Sequence, residues 1–188
     1  LTYQTDGKTY KDITEIAKDP EALKVGQRLF LQNCSQCHGS DARGGRGFSN
    51  LTDREWQWGG EPATIKTTIM GGRQGVMAAW GEILGQDGVK EVASYVLSVS
   101  GRKVDLVEAK KGEARFAMCA ACHGPDAKGG IAFGAPDLTN NTWLYGGSRQ
   151  VVEQTITHGR HGVMPAWKDI LGEDKVHLLA SYVYSLSH

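Results

Sequence analysis

Residues 33–45 read NCSQCHGSDARGG, and residues 118–130 read MCAACHGPDAKGG. Each stretch sets two cysteines and a histidine in the order C-x-x-C-H, ahead of a glycine-rich loop. That order is the attachment pattern of a c-type haem. Two thiols add to the two vinyl groups on one edge of the porphyrin, and the adjacent histidine swings beneath the ring to bind iron. Glycines beside the motif let the backbone approach the flat macrocycle. Two other chemistries use paired cysteines. Zinc needs a closed set of four ligands, and a thiol-redox pair expects an α/β setting that this chain lacks. Recurrence in matched contexts favours haem. Cys34 and Cys37 are expected to hold one haem and Cys119 and Cys122 a second, with His38 and His123 as iron ligands. All four cysteines are then used, leaving neither a free thiol nor a disulfide.

The duplication extends well beyond the motif. Cys34/Cys119, His38/His123 and Gly45/Gly130 are each 85 residues apart. From Leu51/Leu138 onward the offset is 87, as for Trp56/Trp143, Arg73/Arg160, Met77/Met164, Trp80/Trp167 and Tyr95/Tyr182. A two-residue insertion between Gly130 and Leu138 accounts for the change.

Both repeats share one plan. In DPEALKVGQRLFLQ, Asp19 reads as an N-cap and Pro20 as the first helical residue. After the C-x-x-C-H loop comes a short helix, EPATIKTTIM or SRQVVEQTITH, with Ile65/Ile69 and Val152/Ile156 on one face. The closing helix is DGVKEVASYVLSVSG or EDKVHLLASYVYSLS, with Val89, Val92, Ala93 and Val96 forming the first apolar stripe. Gly101 ends the first of these. No convincing strand pattern is present. The expected fold is all-α: a polar N-terminal arm (1–18), a first domain (19–100), a linker (101–108) and a second domain (109–188). Domains of roughly 80 residues supply only about 3–5 kcal/mol from their own cores, so a large apolar group is needed to fill each one.

Composition narrows the function. Lys plus Arg equals Asp plus Glu, 21 each, which removes the basic footprint of nucleic-acid binding. No apolar run approaches the roughly 20 residues of a membrane span. The chain opens on Leu1 with a polar stretch, which reads as a processed or truncated product.

A second axial ligand must reach the iron from the opposite face, far along the chain. The repeat offers Met77 in GRQGVMAAW and Met164 in GRHGVMPAW, which follow His38 and His123 by 39 and 41 residues. His/Met ligation raises the reduction potential and closes both axial positions. Such an iron passes electrons rather than binding substrate, so the chain is not expected to be catalytic by itself. Met70 and Met118 read as packing residues. Trp56 and Trp143 either donate an indole N–H to a haem propionate or pack in the core. Arg73 and Arg160 either pair with propionates or are solvated. Ser49 and Pro136 offer backbone carbonyls to the Nδ1–H groups of His38 and His123, a bond that fixes the imidazole tautomer. His158, His161 and His177 have no histidine counterparts and read as surface residues.

The pattern resembles class I cytochrome c twice over. The phrases DPEALKVGQRLFLQNCSQCHGSDARGGRGFSNLTD, WQWGG, GAPDLT, WLYGGS and MPAWKDILGEDKVHLLASYVYSLS are more specific. From about residue 19 to the end they resemble the dihaem subunit, subunit III, of cbb3-type cytochrome c oxidases. The resemblance implies two covalently bound haem c groups and a relay of electrons from a soluble periplasmic cytochrome c toward the catalytic subunit of the oxidase. It implies catalytic and monohaem subunits as partners, a place on the periplasmic side of the bacterial inner membrane, and an anchoring helix upstream of this chain. A free-standing dihaem carrier of the cytochrome c4 kind has the same residue chemistry. A dihaem peroxidase or a gas sensor would need an iron with an open position, which two matched methionines oppose.

Overall fold

The computed structural model describes residues 10–188. The elements in chain order are α1 (Ile13–Ile16), α2 (Pro20–Asn33), α3 (Ser35–His38), α4 (Pro62–Gly71), β1 (Arg73–Met77), α5 (Gly81–Val99), α6 (Leu106–Phe116), α7 (Ala120–His123), α8 (Arg149–His158), β2 (Arg160–Met164), α9 (Lys168–Leu171) and α10 (Glu173–Ser185). Helix α2 starts where its sequence says it should: Asp19 accepts from the amides of Glu21 and Ala22, with Pro20 first in the helix. Such a cap is worth about 1 kcal/mol. Asp105 caps α6 in the same way, so that helix begins inside the segment 101–108 read as linker. Of the arm at 1–18, residues 1–9 lie outside the described residues; the rest carries α1, whose Ile13 and Ile16 are buried.

The chain is mainly helical, and one small sheet accompanies the helices. RQGVM and RHGVM are five-residue strands that hydrogen-bond in a two-stranded sheet. Five residues with a central glycine carry too little periodicity to announce themselves as strands.

The described residues form two compact units, and these cut across the sequence repeats. The first holds the chain through Glu55, Gly59–Arg73 and Val163–His188; the second holds Trp56–Trp58 and Gln74–Gly162. In the first unit, α10 of the second repeat packs on α1, α2 and α4 of the first. In the second unit, α5 of the first repeat packs on α6 and α8 of the second. The closing helices have changed places.

Each exchange rests on a glycine at a helix crossing. A Cβ on Gly26 would lie 2.5 Å from Tyr182 Cβ, and one on Gly112 would lie 2.9 Å from Tyr95 Cβ and collide with the Glu91 carbonyl. Glycine lets the paired helices meet backbone to backbone. One turn along, Phe30 meets Tyr182 with ring centroids 5.6 Å apart, and Phe116 meets Tyr95 at 4.9 Å. The second unit's core is Leu84, Val89, Val92, Ala93, Val96 and Leu97 from α5, with Phe116, Val152 and Ile156 from α6 and α8. Full burial of side chains of this kind stabilises by about 1.5–3 kcal/mol each.

Candidate haem-binding sites

Cys37 and His38 sit on the single-turn helix α3, and Cys122 and His123 on α7; their amides donate to the carbonyls of Cys34 and Cys119, which precede the two helices. All four cysteines are unpaired; Cys37 and Cys122 are exposed, Cys34 and Cys119 half-buried. Burial, with the neighbouring Cys37 adding to it, pushes the Cys34 thiol up to about 11. Burial raises Cys119 in the same way. Among the described residues no group of three or more His, Cys, Asp or Glu side chains is arranged to hold a metal ion on its own. The donor set is therefore two thiols and one imidazole per motif.

The histidines are oriented by backbone. His38 Nδ1 lies 2.9 Å from the Ser49 carbonyl, and His123 Nδ1 lies 3.1 Å from that of Pro136. A carbonyl only accepts, so each Nδ1 carries the proton and donates it. Each Nε2 is left with its lone pair, the form that ligates a metal. His123 is buried, and that burial lowers its pKa against the opposing pull of the Pro136 carbonyl.

The methionines sit with the other repeat's motif. Met77 packs against the core that contains Phe116, Ala127 and Ile156, a core on which Cys119, Ala120, Leu138 and Trp143 also pack. The Trp80 amide donates to the Ile156 carbonyl at 2.9 Å, and the turn at Gly159 lies against Ala78 and Ala79. The same construction recurs in the first unit. There the Trp167 amide donates to the Ile69 carbonyl at 3.0 Å, and the turn at Gly72 lies against Pro165 and Ala166. Met77 thus shares a unit with His123, and Met164 with His38. The pairing within each repeat, 39 and 41 residues apart, is not the one the fold brings together.

The remaining candidates divide. Arg73 Nε donates to Thr68 Oγ1 at 2.9 Å and Arg160 Nε to Thr155 Oγ1 at 3.0 Å, while the Arg160 guanidinium stacks on Tyr145. Both arginines therefore brace the turn that enters each strand. Trp143 Nε1 is buried without a hydrogen-bond partner, and Trp56 falls in the second unit rather than with His38. Met118, next to Cys119, is 40% exposed. His158 and His161 are exposed. His177 is not: it is buried beneath Tyr10, stacked at 4.6 Å, with Nε2 donating to the Lys11 carbonyl. The arm covers it, which its helix position alone does not reveal.

Sequence reasoning missed Trp58, Ala42 and Ala127. Trp58 lies against Gly134, in the loop after the second motif, at a position where any Cβ would collide with the indole. Ala42 and Ala127 are buried in left-handed conformation (φ 60° at both), and their carbonyls accept from Leu51 and Leu138 at 2.8 Å. Their repetition at the 85-residue offset was the available signal.

Haem c passes the test these residues set. Each unit offers two unpaired thiols, an imidazole with a bare Nε2 and a methionine; the second adds a buried indole N–H that lacks an acceptor. Comparison with known proteins agrees. The family model described as cytochrome c oxidase, cbb3-type, subunit III matches residues 21–96 and again 107–183. The cbb3-type cytochrome c oxidase subunit CcoP of Rubrivivax gelatinosus is 49% identical over 173 residues, 92% of this chain and 57% of that protein. The subunit FixP of Azorhizobium caulinodans is 43% identical over 93% of this chain and 64% of its own length. CcoP of Cereibacter sphaeroides is 41% identical over 93% of this chain and 66% of its own. The chain thus spans under two thirds of the length of these relatives. Two tandem matches, two C-x-x-C-H motifs and two oriented histidines lead to one conclusion: the chain belongs to the cbb3-type cytochrome c oxidase subunit III family and carries two covalently bound haem c groups.

Proposed function

We propose that this chain is a dihaem electron relay, taking electrons from a soluble periplasmic cytochrome c and passing them toward the catalytic subunit of a cbb3-type oxidase. The relatives' names, each an oxidase subunit, support that assignment. Among the described residues no helix is long and apolar enough to cross a membrane. The proposed site is the periplasmic side of the inner membrane, beside the catalytic and monohaem subunits.

Haem c supplies a one-electron couple at iron. The protein's part is to hold that iron closed on both faces. Cys34 and Cys37 tether the first haem and Cys119 and Cys122 the second. His38 and His123 present Nε2, held in that tautomer by the Ser49 and Pro136 carbonyls. Met164 would serve the haem that His38 holds, and Met77 the haem that His123 holds, since each pair shares a unit. Repeats 19–100 and 109–188 would each tether one haem through two cysteines, and each haem crevice would be completed from the other repeat.

The observation that carries this reading is the grouping of one oriented imidazole and one methionine in each unit. With a histidine and a methionine both holding the iron, the chain would transfer electrons without binding substrate. Adding reduced soluble cytochrome c to the oxidised holoprotein should reduce both haems. Carbon monoxide should then leave the reduced spectrum unchanged at neutral pH. A carbon monoxide adduct would overturn the relay reading, because it requires an open iron.

A further inference from the structure

The closing turn of α5 sets a cation over the ring of Trp143. Gly101, at φ 80°, donates its amide to the Ser98 carbonyl at 2.9 Å, and the Arg102 amide donates to Leu97 at 3.0 Å. This pair of bonds is the Schellman cap. It fixes the backbone of Arg102 to a buried helix without help from the side chain. The Arg102 guanidinium lies over the Trp143 ring, 5.1 Å from its centroid, and Nη1 donates to the Gly147 carbonyl. Gly147 leaves the room for this. A Cβ there would stand 2.6 Å from Arg102 Nη2 and 2.8 Å from Trp143 Cδ1 and Cδ2.

Two donor-only groups are neighbours here, a guanidinium over the ring and the ring's own N–H. An indole offers one N–H, a guanidinium offers five, and neither accepts. Trp143 Nε1 is buried and has no partner. Among the described residues no carboxylate pairs with Arg102. A buried donor without an acceptor costs about 1–3 kcal/mol, so the site calls for an anion. Trp143 packs on the same core as Cys119 and Met77, the cluster that borders the second haem site. Arg160, the arginine singled out by its place in the repeat, is engaged elsewhere by Thr155 and Tyr145.

We propose that Arg102 and Trp143 together form the anchor for a propionate of the haem tethered at Cys119 and Cys122. This rests on the haem assignment of that unit. Arg102 acts as a positioning residue, and its positive charge near the porphyrin favours the reduced form, which carries one more electron. It thereby holds the potential of this haem up.

The test is a potentiometric titration of the dihaem holoprotein. The two waves are assigned with a full-length chain in which Cys34→Ser and Cys37→Ser leave only the second haem. Arg102→Gln should lower the second wave and leave the first in place. Arg102→Lys, which keeps the charge, should retain most of the original value. Trp143→Phe keeps an aromatic ring, removes the N–H, and should lower the same wave. The proposal is overturned by a second wave that ignores Arg102→Gln or Trp143→Phe, by equal movement of both waves, or by a lysine variant no better than glutamine. A purely structural role for Arg102 would not distinguish lysine from glutamine. A chain that matures without haem at Cys119 and Cys122 would remove the haem assignment as well, and haem quantification identifies that failure separately.

Discussion

His38 and His123 show how far single residues can be read. Their place in C-x-x-C-H is what proposes them as ligands, and their Nδ1 contacts with Ser49 and Pro136 complete the tautomer argument. Arg102 was hidden inside a segment read as linker, because its role depends on a helix cap and on a tryptophan 41 residues away, and neither is periodic. His177 was hidden for a similar reason, since the arm that buries it folds back from the other end of the chain. It also makes a pH prediction. Its burial lowers the pKa, with Nδ1 enclosed and unpartnered; the Lys11 carbonyl opposes the shift, Lys66 adds to it, and Glu173 and Asp12 oppose it. A histidine with a depressed folded pKa binds its proton more readily when unfolded. Its contribution is therefore complete above about pH 6.5 and is lost as pH falls below that toward the folded value. Denaturation of the first unit between pH 7.5 and 5 should show falling stability, and His177→Gln should flatten that slope. An unchanged slope would mean that another group sets it.

At the scale of elements, most helices were legible. Asp19–Pro20 and the Val89/Val92/Ala93/Val96 stripe place α2 and α5 through capping and periodicity, both local properties. The strands were not, because RQGVM and RHGVM are formed by pairing with each other rather than by pattern. Gly112 could be read as a weak spot in a helix, but the structure shows it is where α6 meets α5. Gly112→Ala should destabilise the second unit by about 1–3 kcal/mol through overpacking, seen as an earlier transition in denaturant. Gly71→Ala, at the exposed end of α4 where an added Cβ meets nothing within 4 Å, should leave the curve within about 0.5 kcal/mol of the parent. Equal effects at the two positions would contradict the close crossing.

At the scale of the whole molecule, the duplication was legible and the exchange of closing helices was not. Each repeat is internally consistent: Tyr95 can meet Phe30 as readily as Phe116, and Gly26 offers a crossing much like that of Gly112. Nothing local distinguishes a helix closing on its own repeat from one exchanged with its neighbour, which is why duplicated domains swap elements at little cost. The fold chooses the exchange, and Met77 and Met164 travel with the exchanged helices. The most direct measurement removes one haem and asks which sulfur serves the other. In the full-length chain with Cys119→Ser and Cys122→Ser, only the haem at Cys34 and Cys37 remains. Its ferric spectrum should keep the weak near-infrared band of sulfur ligation after Met77→Leu and lose it after Met164→Leu; loss with Met77→Leu and survival with Met164→Leu would contradict the crossed assignment.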